Sequence, residues 1–495
     1  MLEEFRFDKI RLMSLFALAA MAATLIGAIY LVFTAKAAPV PVQANDSLQE
    51  SWEEPSHLSA STQATTTTVH LPFVTRDFRL IPPVFGVEFT QPINNADGLA
   101  QAVQAGVHWI RFGAFDWRNI EPVRTTPPTY NWSAVDEQSL VNAAANNAVL
   151  IATIRFAPPW AASGPACGPI RQDSLDEYAE FLTALVQRYR AAPYHIRYWE
   201  LGNEPDVDPS LVPPNSVFGC WGDKNDPYYG GGYYAEMLKV AYPAIKAADP
   251  TAQVLIGGLL LDCDSDNPPP NKDCTPAKFL EGILVNGGGP YFDVVSFHAY
   301  AYFFESAGQV SNPNWSGAVT AVPEKAAFLR NVLSRYGYGE KPLMNTESAL
   351  LCWDATSACR EKQARYVARA YAEALALGLE TQVYFAVRND TWYYTGLLDG
   401  SLSPRPTYNA YAAATSFLSS AIPEGTATGY PAGVEGYRYR SVDTSQHVDV
   451  VWSADGSSLS VTLPAGASAY NHYGTLLATS GVIQLDDGPA YVKRP

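Results

Sequence analysis

Eight short apolar runs, each rich in β-branched and aromatic residues, recur between Val84 and Arg388 with amphipathic helical stretches between them. That alternation is the signature of a parallel sheet whose strands are joined by crossover helices. The runs are VFGVEFT from Val84, HWIRFGA from His108, AVLIATIRF from Ala148, IRYWELGNE from Ile196, QVLIGGLL from Gln253, FDVVSFHAY from Phe292, KPLMNTESAL from Lys341 and TQVYFAVR from Thr381. Eight parallel strands close a barrel. The span from Val84 to the helical stretch at 408–418 exceeds the roughly 250 residues of a typical (β/α)8 barrel, so several loops must be long. The stretch DSLDEYAEFLTALVQRYR reads as one of the helices, with a cap at Asp173 or Ser174 and Asp176 and Glu177 in its first turn. An open doubly wound sheet would share the alternation, but no GxGxxG or P-loop follows any strand.

The chain flanking this repeat differs in character at both ends. The segment at 14–34, SLFALAAMAATLIGAIYLVFT, carries no charge and is as long as a bilayer-spanning helix needs to be. Arg6, Lys9 and Arg11 precede it, which leaves residues 1–13 in the cytoplasm and sends the rest outward. The segment therefore reads as a transmembrane anchor, or as a signal sequence cleaved at Ala35-Lys36-Ala37. Residues 35–79, rich in Pro, Ser and Thr, read as an extended stalk. The barrel occupies 80–420. From 421 to 495, short alternating runs such as HVDVVWSA, SLSVTLP and GVIQLDD, separated by turn residues, predict a small β-sandwich domain.

Charge excludes one class of partner. Asp and Glu outnumber Lys and Arg by 49 to 33, a formal charge of -16, so a polyanion such as nucleic acid is repelled. No HExxH and no CxxC appear, and the expectation is no metal and no cofactor. A GxSxG nucleophile elbow is also lacking.

In a parallel barrel the chemistry sits where strands end, on the C-terminal face, so acidic residues closing strands carry the most weight. Strand four closes YWELGNEPD, and side-chain alternation sets Tyr198, Glu200, Gly202 and Glu204 on one face, with Trp199, Leu201 and Asn203 on the other. With the first face inward, Glu200 is deep and Glu204 is at the rim. Strand seven closes PLMNTESAL and brings Glu347 to a matching height. A strand-end Glu taken alone is more often a solvated rim residue or a helix cap. Two carboxyl groups about 5 to 5.5 Å apart are what a retaining glycosidase requires, one to donate a proton and one to attack.

The words around these residues resemble the clan A glycoside hydrolases, above all family 39 and its neighbours in families 5 and 51. The resemblance rests on WELGNEPD and TES in strand order, with PTYNWSAVDEQ, the PPW at 158–160 and FDVVSFHAY, and it covers Val84 to the C-terminus. It implies Glu204 as acid/base and Glu347 as nucleophile. It further implies Arg111 supporting the nucleophile's charge, Asn203 on the sugar 2-hydroxyl, and His298 and Tyr300 near the two carboxylates. Trp160 and Trp392 would stack on sugar rings, with core packing as the alternative. Gly202 departs from the relatives, where Trp is frequent, and Asn345 stands where they carry apolar residues.

An exported chain with an even number of Cys favours oxidation. The expected bridges are Cys167 with Cys220, Cys263 with Cys274 and Cys352 with Cys359, all after strands on the active-site face. The expected function is a retaining glycosidase on an extracellular β-linked carbohydrate substrate, tethered to the membrane by the N-terminal segment or secreted. A transglycosidase and a non-catalytic sugar-binding protein are the alternatives.

Overall fold

The computed structural model describes residues 83–213, 216–301, 312–317, 319–444 and 446–495. The apolar segment at 14–34, the residues before it and the stretch at 35–79 lie outside the described residues. Among the described residues, no helix is long and apolar enough to cross a membrane.

All eight expected strands form: β1 (Phe85–Phe89), β2 (Trp109–Asp116), β3 (Val149–Arg155), β4 (Tyr198–Asn203), β5 (Gln253–Gly258), β6 (Val295–Tyr300), β7 (Leu343–Ala349) and β8 (Thr381–Tyr384). They lie in the order β5-β4-β3-β2-β1-β8-β7-β6, and parallel bridges from Leu255 to Val294 and from Leu259 to Phe297 close the ring between β5 and β6. The result is a (β/α)8 barrel.

Its interior changes chemistry from one layer to the next. At the bottom, Trp109, Ile151, Leu255, Val294, Met344 and Val383 fill the bore as one apolar cluster, with Tyr198 edge-on to Trp109 at 4.9 Å. Two residues further along the same strands stand Arg111, Thr153 and Glu200, all buried. The period of two along a strand thus converts an apolar plug into a polar floor, and the floor is where the site begins.

The outer face of the sheet is covered by helices: α1 (Leu99–Gln104), α2 (Trp117–Ile120), α3 (Glu137–Ala145), α4 (Leu175–Tyr189), α5 (Gly231–Ala248), α6 (Phe279–Val285), α7 (Val322–Arg335), α8 (Ser357–Ala376) and α9 (Pro406–Leu418). On α4, Phe181, Leu182, Leu185 and Val186 are fully buried and join the same core cluster as Trp199 and Leu201 of β4. Each such side chain contributes roughly 1.5–3 kcal/mol by leaving water. The start of α4 differs from expectation. Ser174 holds the cap position without a side-chain cap bond, and Asp173 is drawn away into a pair with Arg171.

The C-terminal residues form the expected β-sandwich. Strands β9 (Ala421–Thr426), β10 (Val434–Ser441), β11 (His447–Ser453), β13 (Ser468–Tyr470), β14 (Leu476–Ala478) and β16 (Ala490–Arg494) make an antiparallel sheet in the order β14-β13-β16-β11-β10-β9, and β12 (Leu459–Thr462) pairs with β15 (Val482–Leu485). Val451, Val461, Leu463, Ile483, Leu485 and Val492 form the core between them. The other face of the larger sheet packs on the barrel helices, where the ring of Tyr491 stacks on Phe417 of α9 at 4.4 Å and the hydroxyl of Tyr439 donates to the Ala372 carbonyl of α8.

Three disulfides join the expected partners, Cys167 to Cys220, Cys263 to Cys274 and Cys352 to Cys359. The first ties the loop after β3 to the loop after β4. The second closes on itself the loop after β5, and the third pins the loop after β7 to the start of α8. All three brace the C-terminal face of the barrel.

Candidate active site

Arg111 organises the floor. Its Nε donates to Glu200 Oε2 at 2.7 Å, Nη1 donates to Glu347 Oε1 at 2.6 Å and to Glu88 Oε2 at 2.8 Å, and Nη2 donates to Asn203 Oδ1 at 2.6 Å. Glu200 accepts a second bond from Thr153 at 3.0 Å and is wholly buried. One guanidinium therefore fixes side chains from β1, β4 and β7 in a single buried network, where each charge-assisted bond is stronger than a neutral one. Burial pushes the Glu88 carboxyl up to about 8, opposed by Arg111.

Glu347 is held at both oxygens, Oε1 by Arg111 and Oε2 by the Tyr300 hydroxyl at 2.6 Å. Its placement depends on a slip in register. Phe297 pairs with Asn345, but the next pair is His298 with Glu347, so Thr346 is passed over. Met344 already points into the bore, and unbroken alternation would have sent Glu347 outward.

Glu204 follows β4 with a left-handed backbone, φ 50°, anchored by its N–H to the Gly258 carbonyl at 2.9 Å. Its carboxyl is almost wholly buried, and its pKa lies well above the ordinary carboxylate value, first through burial and then through the charge of Glu347. His298 Nδ1 stands 2.8 Å from Glu204 Oε1 and 3.5 Å from Glu347 Oε2. Burial and the nearby Arg111 hold the imidazole neutral, with its pKa well below the ordinary value. His298 Nε2 is buried without a hydrogen-bond partner. The tautomer with hydrogen on Nδ1 donates to Glu204 and leaves only a lone pair unpaired on Nε2, which costs less than an orphaned N–H. A Cβ on Gly258 would stand 2.2 Å from that nitrogen, so the ring needs glycine opposite.

One ligand atom from each of Glu204, His298 and Glu347 lies within 4.8 Å of the others. The trio has the donor count for a metal ion. Against that use, Glu347 is already bonded at both oxygens and Arg111 supplies the positive charge a cation would bring.

Asn203 corrects the simple alternation along β4. Its side chain does not face away from Glu204 but reaches Arg111 in the mouth, because Gly202 adopts φ 100°. Its amide nitrogen has a long 3.5 Å contact to the Val217 carbonyl. A cavity of about 40 Å³ lies behind it, lined by Ile154, Phe156, Leu201, Gly202, Phe218 and Trp221. A Cβ at Gly202 would meet nothing within 4 Å, so Gly202→Ala tests the backbone alone. The left-handed residue costs about 1–2 kcal/mol with a side chain. We expect that loss in the denaturant midpoint, accompanied by a fall in activity as Asn203 swings off Arg111; full stability in the variant would contradict this account of the turn.

The two tryptophans part company. Trp392, after β8, lies edge-on to Tyr300 at 5.6 Å and to Phe385 at 4.9 Å, beside the Glu347 end of the mouth. Trp160, half-buried after β3, lies edge-on to Trp117 at 5.3 Å and donates its Nε1–H to the Glu121 carbonyl. Sequence reasoning missed Glu88, although it closes β1 and is the direct register partner of Arg111. It also missed Lys325, whose buried Nζ donates to the carbonyls of Leu260 and His298, and Asp206, which accepts from the N–H groups of Leu260 and Leu261. These two brace the ends of β5 and β6 from outside, and nothing in their local sequence signals it.

No protein-family model and no curated protein matches the sequence. Solved structures do. A family 39 glycoside hydrolase from Bacteroides cellulosilyticus superposes with a TM-score of 0.64 at 19% identity, covering 84% of this chain and 81% of that one. A monomeric β-xylosidase from Caulobacter crescentus gives 0.54 at 15% identity over 83% and 96% of the two chains. A family 30 endoxylanase from Clostridium papyrosolvens gives 0.54 at 15% identity, again over 83% and 96%. The chain therefore has the fold of the clan A glycoside hydrolases of families 39 and 30.

Proposed function

We propose that this protein is a retaining glycoside hydrolase that cleaves β-linked glycans or glycosides outside the cell. The observation that carries the reading is the unequal pair at the barrel mouth: a buried Glu204 whose pKa is raised by burial and by the charge of Glu347, and a Glu347 bonded at both oxygens by Arg111 and Tyr300, with oxygens within 4.8 Å. That spacing suits direct attack on the anomeric carbon rather than attack by an intervening water.

In the first step Glu204 protonates the departing oxygen while Glu347 Oε1 or Oε2 forms the bond to the anomeric carbon. Once Glu347 is an ester its charge is gone, so part of what raised the Glu204 pKa disappears and Glu204 becomes the base that takes a proton from water. Water then displaces Glu347, and the anomeric configuration is retained. Asn203, fixed by Arg111, presents its amide toward the sugar 2-hydroxyl, and Trp392 offers a ring face beside Tyr300. The three disulfides suit an exported protein. Two of the solved structures are by name a β-xylosidase and an endoxylanase, which makes aryl β-xylosides the first probes and aryl β-glucosides and β-galactosides the next. Release of nitrophenol from one of these, undiminished by a chelator, is the expected result. Failure on all of them and on β-linked oligosaccharides, or loss with chelator and recovery with a metal ion, would overturn the reading.

A further inference from the structure

Among the described residues, the mouth contains one cation that the chemistry above does not use. Arg155 ends β3, and the inward residues below it on that strand are Ile151 in the apolar plug and Thr153 on Glu200. The side chain therefore stands one layer above the floor. Its Nη2 lies 2.0 Å from the point a Cβ of Gly113 would occupy, so glycine at that position of β2 gives the guanidinium its place across the inner wall. Two guanidinium groups flank the Phe156 ring, that of Arg118 at 4.8 Å and that of Arg155 at 5.5 Å.

The neighbouring carboxylates are already taken. Asp116 is bonded to Arg118 at 2.9 Å, Glu88 to Arg111 at 2.8 Å, and Glu347 to Arg111 and Tyr300. Among the described residues, Arg155 has no hydrogen bond and no ion pair, and its guanidinium lies by the Phe156 ring. It is half-buried; burial and the charge of Arg111 act against its own charge, and the charges of Glu88, Asp116 and Glu347 act in its favour. A guanidinium set in a cleft with no carboxylate bonded to it, in a chain of net charge -16, has five N–H donors to offer to a ligand.

We infer that Arg155 is a specificity residue that receives an anionic substituent of the substrate, a uronate carboxylate or a sulfate ester, on the β2–β3 side of the mouth. This rests on the glycosidase reading of the site, and its test is one of binding so that the two can fail separately. The full chain carrying Glu347→Gln would be titrated by calorimetry with nitrophenyl β-glucuronide, β-glucoside and the glucoside 6-sulfate, and with the galacturonide and galactoside pair. At least one acidic ligand should bind roughly 10- to 100-fold more tightly than its neutral counterpart, the gain expected of a hydrogen bond to a charged group. Adding Arg155→Met should abolish that preference, and Arg155→Lys should keep part of it. A uronide preference identifies the carboxylate, and a 6-sulfate preference identifies the ester. An equal affinity for acidic and neutral ligands, or a preference that survives Arg155→Met, would overturn the inference. In the otherwise native chain, Arg155→Met should also lower the ratio of kcat/KM for acidic over neutral substrates. A uniform fall with the ratio unchanged would show that Arg155 serves only the field around Glu347.

Discussion

Replacing Glu347 by Ala should reduce turnover by roughly 10⁴- to 10⁶-fold on every substrate, whatever its leaving group, because the covalent route is then closed. Glu347 is held at both oxygens, so the change also leaves Arg111 Nη1 and the Tyr300 hydroxyl facing an empty space close to the anomeric carbon. A small anion fits that description. Azide should restore turnover of an activated aryl glycoside and yield the glycosyl azide of inverted configuration, which gas chromatography or NMR identifies. If instead azide has no effect while the variant keeps its fold, or if the product azide is of retained configuration, Glu347 is not the attacking group.

The second large effect separates the partner carboxylate by leaving group and by pH. Glu204→Ala should slow natural glycans by about 10² to 10⁴-fold, the usual worth of general acid catalysis. It should spare the first step for a dinitrophenyl glycoside, whose leaving group needs no proton. The sign of the pH effect follows from burial and the Glu347 charge, both of which raise the Glu204 pKa. The acid form is present below that raised value and is lost as pH rises through it, so activity on natural substrates should fall on the alkaline side. That alkaline limb should vanish from the first-step rate of the variant with the activated substrate. Azide added to this variant should give retained product. A Glu200→Ala variant showing the donor pattern instead would contradict the placement of Glu204, although Glu200 lies beneath Arg111, with one oxygen bonded to Arg111 and Thr153.

The eight strands were legible because a parallel sheet covered on both faces demands continuous β-branched runs, and each such run became a barrel strand. The disulfide partners were legible for a related reason, since Cys residues placed after strands three, four, five and seven must gather at one end of the ring. What the sequence concealed depends on register between strands. Nothing local announces that Glu88, Arg111, Glu200 and Glu347 share one layer, because that layer exists only once β1, β2, β4 and β7 are aligned. Alternation misplaced Asn203 because one left-handed residue, Gly202, resets the face that follows it. Glu347 reaches the mouth by the opposite accident of prediction: strict alternation from Met344 would have turned it outward, and the slip at Thr346 brings it in. Trp160 follows β3, as a sugar platform would, and is half-buried, with its Nε1–H on the Glu121 carbonyl and Trp117 edge-on to it.

The pairing of Glu204 as acid with Glu347 as nucleophile implies two displacements at one carbon. The direct measurement is proton NMR of the first sugar released from a β-glycoside, taken before mutarotation mixes the anomers. The β-anomer should be the first-formed product, and release of the α-anomer would contradict double displacement by this pair.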